Sequence, residues 1–486
     1  MSAKSVHESA IIVVGMRWCD RLLGLISMVI LARLLVPADF GIIVMASLIV
    51  GLIDVLLDIG VSTALIHNQK ADSEDYNTAW TLRLIQSCLT GFIIFVSAPF
   101  VADFYDNHLV IDVLRVMALS VVIAGFENIG VVTFQKNMEF GQDFKFFFYK
   151  RITGFAVTLI FAFILHNYWA MVIGSLSNRI AGVILSYCMH SHRPKLTLTR
   201  TTEIWSFSKW VLLRNIIAYL DTQIDKFLIG SRSDEKVLGT YSVAQNVAAM
   251  PTTELLMPLG RVLFPAFAQK RDDIESFARS LSTAIGVLSL VAMPACIGLV
   301  LTAEDAVVIL LGVNWIEAVP LIQIMVISNL IFSLTHSGVY ALLAIGKVRF
   351  LAILAGLQIA FFLIVAILLF PQSDATEIAT IRVLTVCFGS IFIISIVILQ
   401  IQAFNIKDYF APIFRPLSAT GCMALVLIQL NPVLNDLIPF ARILIEILVG
   451  FVTYITCIIS LWLLQGQPEG AETYLIKNFA HKFKRS

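Results

Sequence analysis

About fourteen stretches of roughly 20 apolar residues follow one another along this 486-residue chain, and this succession limits its fold more than any other feature. A helix of about 20 mostly apolar residues crosses the hydrocarbon core of a bilayer. Only helices and closed barrels satisfy their backbone polar groups in lipid. We therefore expect an all-α, polytopic membrane protein of about fourteen transmembrane helices, with approximate spans at 9–33, 40–66, 77–102, 109–133, 144–165, 168–190, 205–230, 236–263, 276–302, 319–344, 348–370, 376–402, 409–430 and 438–464.

The composition agrees with a chain that buries its apolar surface in lipid. Hydrophobic residues make up 58% and charged residues 14%, whereas soluble proteins are about half apolar and a quarter charged. The net charge of +1 gives no overall field that would attract a nucleic acid. All seven cysteines lie in apolar runs without metal-ligand spacing. We expect no cofactor, no metal site and no nucleic-acid partner.

Basic residues in the connections predict the orientation. With the N-terminus in the cytoplasm, 21 lysines and arginines fall on the cytoplasmic side and four on the outer side. Cytoplasmic loops carry an excess of Lys and Arg, so both termini should be cytoplasmic. The basic tail at 467–486 is either an amphipathic helix on the anionic inner leaflet or a solvated tail.

A short internal similarity predicts a repeat. The segment Phe40–Ala46 resembles Leu238–Ala244, each opening a helix on the outer side, at an offset of about 198 residues. Parallel repeats of this kind are related by an axis along the membrane normal. The predicted organisation is two six-helix lobes around a central cavity, a pair of added helices and the tail, at 1–200, 201–404, 405–466 and 467–486.

Many charged residues lie inside the predicted spans, where each costs about 2.5–3.5 kcal/mol unless it faces protein or water. In one interpretation the arginines line the cavity and bind an anion such as a diphosphate, because guanidinium pairs with phosphate at two points. In the other, opposite charges only neutralise one another. The anion-binding candidates are Arg17, Arg21, Arg83, Arg179 and Arg214. The candidates for ion coupling are Asp54, Asp58, Asp221, Asp225, Glu127 and Glu254.

No motif of an enzyme is present. The sequence has no Gly-rich phosphate loop ending in GK[ST], no HExxH and no nucleophile elbow. The outer connections are short, whereas a membrane-embedded glycan enzyme usually carries a large outer loop with clustered catalytic groups. We expect no catalytic residues.

Several segments resemble landmarks of bacterial polysaccharide flippases. The segment Ala32–Gly41, ARLLVPADFG, resembles the signature at their first outer turn. Further similarity lies in Asp225–Gly230 with Leu238–Ala244, in Phe264–Ala266 and in Leu310–Trp315. The chain is similar to the Wzx-type, lipopolysaccharide and teichuronic-acid export branch of the multidrug/oligosaccharidyl-lipid/polysaccharide exporter superfamily.

The resemblance implies a function in a bacterial cytoplasmic (inner) membrane. It implies alternating-access transport of undecaprenyl-diphosphate-linked oligosaccharide repeat units to the outer leaflet, for lipopolysaccharide O-antigen, capsule or exopolysaccharide. Its partners would be membrane lipid and the polysaccharide polymerase and export machinery. The alternatives are a drug/cation antiporter of the same superfamily, which usually has twelve helices and an arginine-poor cavity, and a membrane-embedded glycan-assembly enzyme.

Overall fold

In the described part of the computed structural model all regular structure is helical, and the chain forms two compact units, Met1–Ser242 and Val243–Ser486. The structure describes residues 3–58, 60–68, 70–434, 436–468 and 470–473, without the side chains of 3–14, 16, 17, 202–211, 213, 214 and 254–262. Most of the basic tail, from residue 474 on, lies outside this part. The units are called unit 1 and unit 2 below.

Unit 1 contains nine helices and the start of a tenth within the described residues. They are α1 (Ala3–Leu34), α2 (Pro37–Leu57), α3 (Val61–His67), α4 (Ser73–Tyr105), α5 (Leu109–Gly125), α6 (Val132–Lys136), α7 (Phe140–Leu165), α8 (Trp169–Met189), α9 (Thr201–Arg232) and α10 (Glu235–Gln269). A 3-10 turn at Ile129–Val131 precedes α6. In this unit α7 packs against α8 and α1, α4 against α5, and α9 against α2 and α4.

Unit 2 holds the remainder of α10 and seven further helices of the described chain. They are α11 (Ile274–Leu301), α12 (Ala303–Leu310), α13 (Ala318–Ala344), α14 (Val348–Leu363), α15 (Ala375–Gln400), α16 (Ile406–Leu434) and α17 (Pro439–Leu464). A π-helical turn at Ile364–Leu369 extends α14. Here α13 packs against α15 and α11, and α16 against α11 and α17.

The all-α membrane class is confirmed. Ten helices of the described part are long and apolar enough to cross a membrane, or eleven if α5 and its bent continuation form one span. Three further helices, α1, α9 and α10, coincide with predicted spans and have 32, 32 and 35 residues. At 1.5 Å per residue each exceeds the roughly 30 Å of the hydrocarbon core. The structure is compatible with the expected fourteen spans.

The second predicted span, 40–66, is wrong in being continuous, because the helix breaks near Asp58. Helix α2 ends at Leu57 and α3 begins at Val61. The Oδ1 of Asp58 accepts a hydrogen bond from the Gly60 backbone N–H at 2.8 Å. Gly60 has φ of +61°, a left-handed conformation that glycine adopts without a steric penalty. A side chain that binds the backbone beside a glycine ends the helix here.

The fourth predicted span, 109–133, is bent in the structure. Helix α5 and the helical segment Ile129–Lys136 meet at 68°. At the bend the Oδ1 of Asn128 accepts from the Gly130 N–H at 2.9 Å, and the Asn128 N–H donates to Ser186 Oγ of α8 at 2.9 Å. The bend therefore has its own polar partners and places Glu127 inside the protein.

The segment that joins α8 to α9, residues 190–200, is fastened to α4 and is called the strap below. The backbone N–H of Lys195 donates to Asn77 Oδ1, and that of Thr197 to Thr81 Oγ1, both at 3.0 Å. At its end Arg200 forms an ion pair with Asp72, whose Oδ2 lies 3.3 Å from the Nη2 of Arg200. Since the strap has no regular structure, these contacts set its course.

Two histidines anchor the start of the strap. His190 Nδ1 accepts from the His192 backbone N–H at 3.0 Å, and His190 Nε2 lies 3.1 Å from Thr133 Oγ1. The Thr133 hydroxyl in turn donates to the Gly130 carbonyl at 2.7 Å. Burial lowers the pKa of His190 and of His192 below the usual histidine range, and the charge of Arg193 lowers both further. This network requires an unprotonated Nδ1 on His190.

Candidate functional site

The predicted site residues divide into those that the structure describes and those that it does not. The side chains of Arg17, Arg214 and Glu254 lie outside the described residues. All the others belong to unit 1. They are Arg21, Arg83, Arg179, Asp54, Asp58, Asp221, Asp225 and Glu127.

Glu127 forms the centre of a charged cluster. It is 6% exposed and follows α5 at the bend. Its Oε2 accepts from the Nζ of Lys150 on α7 at 2.7 Å, and its Oε1 lies 3.6 Å from the Nη2 of Arg83 on α4. A Cβ on Gly182 of α8 would lie 2.7 Å from Lys150 Cε and 3.0 Å from Glu127 Oε2. A side chain at position 182 would therefore have to displace the end of the Lys150 side chain.

A second part of the cluster is more open. Asp54 on α2 and Arg179 on α8 are exposed. The positive charges of Arg179 and Arg83 lie near enough to Asp54 to interact with it electrostatically. The negative charge of Asp58 also interacts with Asp54. With Lys150 and Glu127, the cluster therefore contains three basic and three acidic side chains, and its two guanidinium groups remain partly accessible.

Sequence reasoning missed Lys150 as a member of this site. It counted Lys150 as a cytoplasmic basic residue near the end of a span, although α7 runs from Phe140 to Leu165. The available signal was the position of Lys150 beside Arg151 inside a predicted span. Arg151 also belongs to an ion pair, with its Nε 3.3 Å from the Oδ1 of Asp20 on α1. Some intramembrane charges here do neutralise one another.

Two of the predicted coupling carboxylates have structural partners. Asp58, at the end of α2, accepts from Gly60 as described, and its Oδ2 lies 3.5 Å from Asn215 Nδ2 on α9. Asp225, 1% exposed on α9, accepts from the Tyr241 hydroxyl of α10 at 2.9 Å and from the Lys226 backbone N–H at 2.9 Å. Asp221 is half-buried. The structure does not bring Asp225 into the cluster around Glu127.

The motif at Ala32–Gly41 shapes the start of α2. Pro37 is the first residue of α2, where its missing N–H needs no partner. Asp39 Oδ2 accepts from the Val36 backbone N–H at 3.2 Å, and its Oδ1 from the Tyr168 N–H at 3.0 Å. These contacts fix the α1–α2 connection to the start of α8.

The starts of α2 and α10 cross in backbone contact. A Cβ on Gly41 would lie 1.7 Å from the Glu235 carbonyl oxygen, and a Cβ on Gly239 would lie 1.9 Å from the Pro37 carbonyl oxygen. Each glycine meets the residue four positions before the other glycine. The two glycines are 198 positions apart in the sequence, and so are Pro37 and Glu235. A reciprocal contact of this kind is what an internal two-fold repeat produces. The crossing is called the glycine crossing below.

The charged cluster can attract an anion, since guanidinium groups bind phosphate oxygens at two points. Arg179 is exposed and Arg83 is partly exposed, so both are accessible from the space beside α2, α4 and α8. Among the described residues, no group of three or more His, Cys, Asp or Glu side chains could hold a metal ion. The arrangement therefore offers charge complementarity for an anionic ligand.

The fold is similar to that of solved membrane transporters. The lipid II flippase MurJ in an inward closed conformation superimposes with a TM-score of 0.75 at 12% identity, over 93% of this chain and 99% of MurJ. An inward-facing multidrug resistance transporter of the MATE family, in the MOP superfamily, gives a TM-score of 0.59 at 13% identity, over 79% of this chain and 95% of that chain. At such identities the similarity establishes a shared fold.

Sequence relatives are more specific. The lipopolysaccharide biosynthesis protein WzxC of Escherichia coli (strain K12) is 25% identical over 319 residues, 64% of each chain, so the match spans slightly less than two thirds of WzxC. The teichuronic acid biosynthesis protein TuaB of Bacillus subtilis (strain 168) is 24% identical over 384 residues, 76% of this chain and 78% of TuaB. The sequence profile described as polysaccharide biosynthesis protein matches residues 30–320. With more than half of its length matched, the chain belongs to this family of polysaccharide biosynthesis proteins.

Proposed function

We propose that this protein is a flippase that moves undecaprenyl-diphosphate-linked oligosaccharide repeat units from the cytoplasmic to the outer leaflet of a bacterial inner membrane. Family membership and the MurJ-like fold support the proposal. So does a relative named succinoglycan biosynthesis transport protein, ExoT of Rhizobium meliloti (strain 1021), 22% identical over 309 residues, 63% of each chain. The observation that carries the proposal is the pair of accessible guanidinium groups, Arg83 and Arg179, in the charged cluster around Glu127, because the cargo carries a diphosphate.

In this proposal the arginines hold the diphosphate. Arg83 and Arg179 bind phosphate oxygens, with Arg21, Arg17 and Arg214 completing the set. The pair of Glu127 and Lys150 positions Arg83 without supplying the contact itself. Proton or cation coupling would use the carboxylates nearest to this cluster, first of all the exposed Asp54.

The proposed transport cycle is alternating access by the two predicted lobes, 1–200 and 201–404. The sugars and diphosphate occupy the cavity while the lipid tail stays in the bilayer. Both termini are cytoplasmic, and polymerase and export proteins take up the product. The protein breaks no covalent bond; an ion gradient or removal of the product supplies the free energy.

A deletion strain tests the function. Without this protein, completed lipid-linked repeat units should accumulate on the cytoplasmic side, and mass spectrometry of extracted lipid should identify their sugars. Accumulation of incomplete units would support a glycan-assembly enzyme instead. Normal export of completed units, together with increased drug sensitivity, would support an antiporter.

Single variants test the anion site. Arg179→Ala should lower export about tenfold, since a charged hydrogen bond contributes about 1.5–3 kcal/mol. Arg115→Ala is the matched control, because Arg115 is also an intramembrane arginine but pairs with Asp112 on an exposed face of α5, with 3.7 Å between Nη1 and Oδ1. Equal export by both variants at equal membrane levels would reject a role for Arg179 in binding cargo.

A further inference from the structure

A cavity of about 870 Å³ lies in unit 2 where three helices end. The first turns of α11 and α16 and the segment after α17 line it. Its charged lining residues are Glu275, Arg279, Asp408, Arg415 and Glu472. The proposed flippase mechanism uses none of them, and none belongs to the cluster around Glu127.

Arg415 is the most enclosed basic residue of this lining. It is 8% exposed, and its Nη2 lies 3.1 Å from Glu472 Oε2. Its Nη1 has no hydrogen-bond partner among the residues that the structure describes. A buried donor without an acceptor costs about 1–3 kcal/mol. An acceptor bound beside Arg415 would remove this cost.

The cavity lies at the level of the polar membrane surface. Helix α11 begins at Ile274, α16 begins at Ile406 and α17 ends at Leu464, so all three helices pass from lipid to water there. On α16 the cavity contacts recur at helical spacing, and the adjoining face exposes Phe410 and Phe414 to lipid. A molecule with a polar head and apolar chains fits a polar cavity beside an apolar face.

The mixed charges of the lining select among such molecules. Glu472 is paired with Arg415, and Asp408 Oδ2 accepts from the Asn405 backbone N–H at 2.8 Å at the start of α16. Glu275 and Asp408 still present negative charge to the cavity, which disfavours a ligand that is only anionic. A zwitterion can place its phosphate at the guanidinium groups and its ammonium at the carboxylates.

We propose that this cavity binds the phosphoethanolamine head group of a membrane phospholipid. Arg279 and Arg415 hold the phosphate, and Glu275 and Asp408 hold the ammonium. The segment after α17 closes one wall, since Ala471 is buried against α11, where a Cβ on Gly286 would lie 2.9 Å from the Cβ of Ala471. This site stands independently of the cargo and of the transport mechanism.

Lipid retention by the full-length protein tests the proposal. The purified protein is equilibrated in mixed micelles of phosphatidylethanolamine, phosphatidylglycerol and phosphatidylcholine with identical acyl chains, and bound lipid is measured by native mass spectrometry. We expect preferential retention of phosphatidylethanolamine. Arg279→Gln should lower that preference about tenfold, as expected for one charged hydrogen bond.

Two further variants control for loss of folding and for a general effect of removing positive charge. The double variant Arg415→Gln with Glu472→Gln removes both partners of the buried pair and should also lose the preference. Arg271→Gln, an exposed arginine outside the cavity, should retain it. An equal loss in Arg271→Gln would overturn the proposal, and so would retention of the preference in Arg279→Gln and the double variant.

Comparison of the three lipids, and competition by a soluble head group, show whether the head group or the acyl chains carry the binding. Preferential retention of phosphatidylglycerol, or equal retention of all three lipids, contradicts a zwitterion site. Soluble glycerophosphoethanolamine, which has the head group without acyl chains, should displace phosphatidylethanolamine from the protein. Failure to displace it at saturating concentration would show that the chains carry the binding, against the proposed head-group site.

Discussion

The buried carboxylate of Glu127 has two basic partners in the cluster, Lys150 and Arg83. Lys150→Met leaves this buried carboxylate with Arg83 alone, 3.6 Å away. Breaking a buried ion pair costs about 3–5 kcal/mol, so we expect a clear decrease in thermal stability in detergent. The melting temperature of the purified variant measures it.

The double variant Glu127→Gln with Lys150→Met is the control for this prediction. It removes both charges of the closest pair, so the destabilisation should be smaller than for Lys150→Met alone. A double variant that melts below the single one would contradict a pair whose main role is mutual neutralisation.

At the residue scale, the sequence identifies which charges lie in the membrane but not their partners. Arg83 and Glu127 were expected there, and the structure brings them together. Lys150 joins them only because the bend after α5 directs Glu127 toward α7. The spacing of residues along one helix says nothing about a neighbour on another, so this pairing depends on tertiary packing.

Among the helices, the glycine crossing gives the sharpest prediction. Gly41→Ala places a methyl group against a backbone carbonyl, which no side-chain rotation can relieve, and should destabilise the protein by about 1–3 kcal/mol. Gly298→Ala on α11 has no atom within 4 Å of its new Cβ and should be neutral or stabilising by up to about 1 kcal/mol. Thermal unfolding of both variants compares them, and similar melting temperatures would argue against close contact at the crossing.

The strap should respond to acid. Because burial lowers the pKa of His190, the released state takes up a proton first; attachment is complete above about pH 6.5 and weakens as the pH falls toward the lowered pKa. Hydrogen exchange at the backbone of Lys195 and Thr197, corrected for intrinsic rates, should accelerate as the pH falls below about 6.5.

Substitution separates this effect from general acid sensitivity. His190→Gln should flatten the pH dependence of exchange in the strap, since the titrating group is gone. His108→Gln, at the exposed start of α5, should preserve it. An unchanged pH response in His190→Gln would assign the effect to another group.

At the element scale, apolar length predicts where helices lie but not where they break. The ends of α7 and α17 lie within about four residues of the predicted spans, as expected from the roughly 20 residues that lipid requires. The breaks at Asp58 and Glu127 were missed because both lie within apolar runs. A polar side chain near a glycine was the local signal, and packing decided its effect.

The orientation of the whole molecule can be tested by labelling. Val313, 71% exposed between α12 and α13, should be reached from outside, and Lys347, exposed between α13 and α14, from the cytoplasm. Single cysteines are placed at these positions after replacement of the seven native ones, four of which are exposed. A membrane-impermeant maleimide should label Val313→Cys in intact cells and Lys347→Cys only after lysis; the reverse pattern would invert the topology.

For the whole chain, composition and the succession of apolar runs were sufficient to predict the all-helical membrane class. The motif at Ala32–Gly41 was sufficient to indicate the family. The cavity in unit 2 could not be foreseen, because it is formed by residues more than 100 positions apart, such as Arg279 and Arg415. Such sites arise from the ends of several helices, each of which alone carries only ordinary interfacial charges.

The glycine crossing has a consequence for descent. A contact in which Pro37 meets Gly239 and Glu235 meets Gly41 has the form of an isologous dimer interface, in which one surface binds its own copy. A half-length chain that carries this surface would dimerise through it, and duplication with fusion would join the two copies in one chain. In the fused chain a side chain at either glycine would strike the backbone of the opposite helix. Neither half of such a chain could replace its glycine without losing the contact.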